Sequence, residues 1–305
     1  MPPWNTLLII HFQEESVSIM NMKISAVPGK KTLLNFLMTA LLPAGKALYI
    51  YGGGWNREDT GAGMETRSLG LQKSWEDFFG SRTESFSYRG FPEKAAGDEP
   101  AVSYYPFNGI NVYHDAGLDC SGYLGWVLYN TFETENGKDG YVLKSSDYAK
   151  ELALRGWGTR TPEIAGNGNM PNPGDIVSIK GHVYISLGSC ADESILIAHS
   201  TPSESRQGMP GGGVQVSAIG RDRSCIACQA ADRYMSAAAP EWYRRYPAAL
   251  CDPARYLTAE GSCGRFIWRT GGDTAVLTDP ENVQGLPAEE LLDFLVFAGQ
   301  TGRIA

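Results

Sequence analysis

The sequence predicts an α+β domain built on an antiparallel sheet, and three observations lead there. Apolar residues recur at helical spacing in the first third of the chain, at Leu33, Leu34, Leu37, Met38, Leu41 and Leu42. Short segments rich in β-branched residues then crowd together between residues 175 and 218, separated by Gly, Ser or Asp. These strands follow the helices instead of alternating with them, which favours neighbours that pair by hairpins over βαβ crossovers. The 305 residues, 43% hydrophobic and 20% charged, suit one elaborated globular domain with a sizeable core.

In chain order, residues 1–29 form a leader. A helix is expected over Lys31–Leu42, stopped by Pro43 and Gly45. The same stretch also has the basic-then-apolar order of a signal peptide, with Lys23, Lys30 and Lys31 ahead of it. Leu48–Tyr51 is a short β-prone step into a run of glycines, and residues 56–117, with little periodicity, read as a long insertion. Helices follow over Cys120–Tyr129 and Tyr141–Arg155. Strands are expected at Asp175–Ile179, His182–Leu187, Ile195–His199 and Val214–Ala218. Residues 219–305 form a C-terminal extension with one more strand, Arg265–Trp268, and a last helix, Pro287–Phe297, ended by Gly299.

Charge and hydropathy exclude several classes of function. The formal net charge is −8 with no basic block, which argues against nucleic-acid binding and against an anionic membrane face. No apolar run reaches the roughly 18–20 residues of a spanning helix. Six cysteines are too few for a disulfide-stapled scaffold. Cys225 and Cys228 form a C-x-x-C pair with Cys251 and Cys263 downstream, but the second spacing is too wide for the usual paired zinc motif. Buried thiols, free thiols or a disulfide are the plainer readings, and neither a metal nor a cofactor is expected.

Chemistry concentrates in Gly117–Tyr123, where Cys120 opens a helix. A thiol there meets unpaired N–H groups and the positive end of the peptide dipoles, so a lowered pKa and a nucleophilic thiolate are expected. Such a nucleophile needs a base, most often histidine. Of the four histidines, His11 lies in the leader and His114 in the insertion. His182 and His199 open and close consecutive expected strands, so they can meet side by side, one taking the thiol proton while the other orients it.

Several of these segments occur together, in order: Asp119-Cys120-Ser121-Gly122, Pro173-Gly174-Asp175, Gly181-His182-Val183 and Ala198-His199-Ser200. In this the chain resembles the NlpC/P-sixty family of papain-like cell-wall cysteine peptidases. Gly45, Tyr49, Tyr51, Gly52 and Gly53 match the family's element upstream of the nucleophile, with Leu48 standing where the family has Pro. That match favours a buried helix over a signal peptide. Some sixty residues separate Gly53 from Asp119, far more than the family uses, so the likeness covers Lys31–Gly54 and Gly117–Ser217.

The resemblance implies a papain-like fold in which the nucleophile's helix packs on a small antiparallel sheet. It implies Cys120 as nucleophile, His182 as base and His199 as orienting residue, with Tyr49, Asp119 and Ser121 contacting substrate. The structural alternatives are that Asp119 and Ser121 cap the helix and that Tyr49 belongs to the core. The activity implied is hydrolysis of amide bonds in bacterial peptidoglycan stem peptides, near D-glutamate and a diamino acid, by an extracellular or wall-associated enzyme, while the residues alone leave the compartment open, a cytoplasmic one included. The rivals are a Cys–His amidase or acyltransferase on a non-wall peptide or lipid, and a non-catalytic binding module on the same fold.

Overall fold

A computed structural model describes residues 26–47, 49, 118–132, 141, 143–166, 168–204, 206 and 210–301. The leader up to residue 25, the step at Leu48 and Ile50–Tyr51, the insertion 56–117, and His11 and His114 lie outside the described residues.

Helix α1 (Leu33–Leu41) begins where the Thr32 hydroxyl accepts the Asn35 N–H at 3.1 Å, and every residue in it is buried. Its one buried amide, Asn35, is paired with the segment leading into the helix: Nδ2 donates to Val27 O and Lys30 O, and Oδ1 accepts from Val27 N–H. Helix α2 (Cys120–Phe132) is buried at every position except Ser121. A helix apolar on all sides belongs at the centre of a domain. The Tyr123 hydroxyl ties it to α1 by donating to Ala40 O at 2.8 Å. Helix α3 (Tyr148–Leu154) is shorter than the helix expected over Tyr141–Arg155, because residues 145–147 form a turn before it.

The strands are β1 (Gly158–Thr161), β2 (Ile176–Ile179), β3 (His182–Ser189), β4 (Ile195–Glu204), β5 (Pro210–Ile219), β6 (Leu250–Cys251) and β7 (Gly264–Trp268). Helices α4 (Ile226–Ala238), α5 (Pro240–Arg245) and α6 (Pro253–Tyr256) fall between β5 and β7. Helix α7 (Ala288–Thr301) closes the described chain and runs through Gly299, the expected terminator. Among the described residues one seven-stranded sheet in the order β1-β7-β2-β3-β4-β5-β6 gathers these strands, and within it only the β5–β6 pair is parallel. The α+β class is therefore present, with a larger sheet than the sequence suggests.

Alternation divides the sheet into two buried faces. Val183, Ile185, Leu187, Leu196, Ala198, Val214 and Val216 share one core with residues of α1, α2, α4 and α7. Val177, Ile179, Tyr184, Ile195, Ile197 and Ile219 form a second core on the reverse side with Cys251 and Tyr256. The last third of the chain is woven into this architecture. Strand β7 pairs with both β1 and β2, and its Arg265 side chain donates from Nε to Asp175 Oδ2 at 2.6 Å, with both groups buried. Burial pushes the Asp175 carboxyl up to about 6 against the pull of Arg265 and the Asn172 N–H, which leaves it ionised at neutral pH. Gly174 beside it is obligatory: its φ is +87°, and a Cβ there would meet Leu33 Cδ1 at 2.4 Å.

Candidate active site

Asp119 caps α2 with Oδ1, which accepts the Gly122 N–H at 2.7 Å and the Ser121 hydroxyl at 2.8 Å. Cys120 is thereby the first helical residue, with its own N–H and that of Ser121 facing the sulfur. The helix start is fastened from both sides. The Ser200 hydroxyl, next to His199 in β4, donates to Leu118 O at 2.5 Å. The Tyr148 hydroxyl, from α3, lies 2.7 Å from Ser121 O.

A third backbone N–H, that of Val183, also favours the thiolate form. Its availability follows from the ladder. Ser186 turns its N–H and C=O toward Asp175 and Gly174, so alternation turns the Val183 N–H the other way, toward β4. Yet β3 and β4 pair only from Ile185↔Ala198 onward, and the ladder opens ahead of that point, beside His182. Cys120 sits at this opening.

His182 and His199 meet as the sequence anticipates. His182 Nε2 lies 2.9 Å from His199 Nδ1, and the rings cross at 74°. His199 Nε2 in turn lies 2.9 Å from Ser217 Oγ on β5. The pair is covered by Tyr256 of α6, whose ring centroid is 5.5 Å from that of His182, while Tyr184 donates its hydroxyl to Tyr256 O. Among the described residues no hydrogen bond joins the Cys120 sulfur to either ring; the Val183 amide that acts on the sulfur is one residue from His182.

The electrostatics correct one expectation. Cys120 is 7% exposed, and burial, reinforced by the Asp119 carboxylate, pushes its thiol up to about 12. The three backbone N–H groups act in the opposite direction and lose to desolvation. Burial likewise pushes His182 down to about 3, helped by Arg255, and holds His199 well below the ordinary imidazole range, helped by His182. The resting site therefore holds a neutral thiol and two neutral imidazoles, not a thiolate–imidazolium pair.

The remaining expected residues are placed as follows. Tyr49 is buried on a segment that runs beside β5: Gly45 N–H donates to Val214 O, Val214 N–H to Ala47 O, and Tyr49 N–H to Gly212 O. Asp119 and Ser121 form the cap just described, the structural alternative weighed for them. All six cysteines are free, and among the described residues no three His, Cys, Asp or Glu side chains gather as metal ligands would. Ser217 is the residue that sequence reasoning missed. Its only signal is a serine in the alternating Val214-Gln215-Val216-Ser217-Ala218 run. Compared with known proteins, the chain matches no family model, no curated protein and no solved structure.

Proposed function

We propose that this chain is a cysteine peptidase that hydrolyses amide bonds of bacterial peptidoglycan stem peptides, near D-glutamate and a diamino acid, outside the cell or at the wall. The observation that carries the reading is the 2.9 Å contact between His182 and His199, formed beside the strand opening that holds Cys120. The ordered motifs around these three residues, which resemble those of the NlpC/P-sixty peptidases, supply the substrate class.

Because His182 Nε2 is engaged by His199, Nδ1 is the nitrogen left to take the thiol proton. With both partners neutral at rest, proton transfer to Nδ1 accompanies attack of sulfur on the amide carbonyl. The resulting imidazolium donates through Nε2 to His199, which holds its orientation. The oxyanion has the backbone N–H groups around the sulfur as its donors, those of Cys120, Ser121 and Val183. His182 then returns the proton to the leaving amine, and water cleaves the thioester, releasing the new carboxylate.

Digestion of purified peptidoglycan, read by mass spectrometry, tests the reading. Intact protein should release new amine and carboxyl ends in pairs, and Cys120→Ala should release none. Unchanged muropeptides with intact protein would refute wall hydrolysis and leave the amidase, acyltransferase and binding-module readings.

A further inference from the structure

We propose that Ser217 is a positioning residue whose hydroxyl decides whether His182 can act as a base. This rests on the peptidase reading for its consequence, though not for its geometry. Two contacts of 2.9 Å run in series, His182 Nε2 to His199 Nδ1 and His199 Nε2 to Ser217 Oγ. A neutral imidazole carries one N–H and one lone pair, so each contact holds one hydrogen and the two are coupled. Only two self-consistent patterns exist.

In the first, His182 Nε2–H donates to His199 Nδ1, His199 Nε2–H donates to Ser217 Oγ, and His182 Nδ1 keeps its lone pair. In the second, the Ser217 hydroxyl donates to His199 Nε2, His199 Nδ1–H donates to His182 Nε2, and His182 Nδ1 carries the hydrogen. The first array can accept a proton from the thiol, and the second cannot. The first is also the pattern required after transfer, when His182 holds hydrogens on both nitrogens. The Ser217 hydroxyl can serve in either pattern, and the peptidase reading requires the first, in which it accepts from His199 at a position 0% exposed where no bulk water can substitute. Gln215 lies directly across the ladder from His199 and is also fully buried, and its carboxamide has no hydrogen-bond partner among the described residues, so it does not perform this task in the arrangement seen.

The test uses the full chain with 15N-labelled histidine, whose four imidazoles are few enough to assign with His182→Gln and His199→Gln. At neutral pH the wild type should show unprotonated Nδ1 and protonated Nε2 on both His182 and His199. Ser217→Ala should give mixed tautomers at His199, and Ser217→Thr, which keeps the hydroxyl, should restore the wild-type spectrum. On peptidoglycan, Ser217→Ala should lower kcat about tenfold with KM unchanged, and Ser217→Thr should recover most of the loss. A wild-type spectrum with hydrogen on His182 Nδ1, or an unchanged spectrum in a folded Ser217→Ala, overturns the proposal. If the wild type cleaves no peptidoglycan but the tautomers respond as described, the peptidase reading falls and the role of Ser217 stands.

Discussion

Two cysteines stand at helix starts in this molecule, and their surroundings differ. Cys120 opens α2 and is faced by three backbone N–H groups, one of them from the strand that carries His182. Cys225 is the N-cap residue of α4, half-buried, where the first free amides are already taken: Ile226 N–H donates to Asp192 Oδ2 at 2.8 Å and Ala227 N–H to Ser194 Oγ at 3.0 Å. Both donor sets would favour an anion, but at α4 a carboxylate from the β3–β4 turn occupies that role. A helix start alone does not make a nucleophile. On the proposed reading, what distinguishes Cys120 is the opened strand pair beside it, whose Val183 amide adjoins His182.

Exchange of the two thiols is the strongest way to break the contrast. Cys120→Ala should reduce hydrolysis of peptidoglycan by about a thousandfold or more, whereas Cys225→Ala should stay within about twofold, measured as initial rates of amine release. Equal losses would show that the imidazole pair is not what matters.

Acid should next separate the two ends by stability. His182 is held down to about 3 and His199 well below its ordinary value of 6.5, so the unfolded chain binds protons below pH 6.5 that the folded chain refuses. The histidine contribution, fully present above pH 6.5, should therefore fall as pH drops toward 3, by about 1.4 kcal/mol per pH unit for each histidine. Asp175 offsets this in part below pH 6, because its raised carboxyl takes up a proton in the folded chain first. Urea titrations at pH 7, 6 and 5 measure this, and His199→Gln should flatten the slope.

Alkylation sharpens the comparison further. At pH 8, iodoacetamide should label Cys225 about a hundredfold faster than Cys120, whose thiol is buried and pushed up to about 12. The Cys120 rate should climb about tenfold per pH unit while the fold holds. Peptide mapping by mass spectrometry reads both sites.

The smallest effects should come from the caps. Asp192→Ala should cost about 1 kcal/mol in denaturant unfolding by uncapping α4, with hydrolysis unchanged. Asp119→Asn keeps an oxygen for the Gly122 N–H but removes the charge that raises the Cys120 thiol. It should leave stability within about 0.5 kcal/mol and speed alkylation of Cys120 a few-fold.

Sequence pattern located the central elements because their residues leave little choice. The apolar stripe of α1, the all-round apolar face of α2 and the β-branched runs of β2 to β5 each bury what their period says they should. It missed β1, whose Gly-Thr-Arg-Thr carries no alternation of hydrophobicity, and β6, which is only two residues long. It also missed α4, although Ala227, Cys228, Ala230, Ala231, Tyr234 and Met235 are buried at helical spacing. Small alanines weigh little in a hydrophobic pattern.

At the site, the meeting of His182 and His199 was legible because strand alternation fixes neighbours. The protonation state was not, since the balance between helix-start amides and desolvation depends on how deeply the sulfur is sunk. Ser217 was invisible because its contact with His199 is diagonal: the residue directly across the ladder from it is Ile197.

The place of β7 between β1 and β2 has a consequence for biosynthesis. Strand β2 finds β3 within a few residues, but its other neighbour leaves the ribosome only when residues 264–268 have been made. Until then a nascent chain presents an open, apolar strand margin and an Asp175 carboxylate with no guanidinium to meet it. Translation halted between β6 and β7 should therefore yield a sticky, chaperone-dependent product, and completion of the sheet should coincide with release of the late segment.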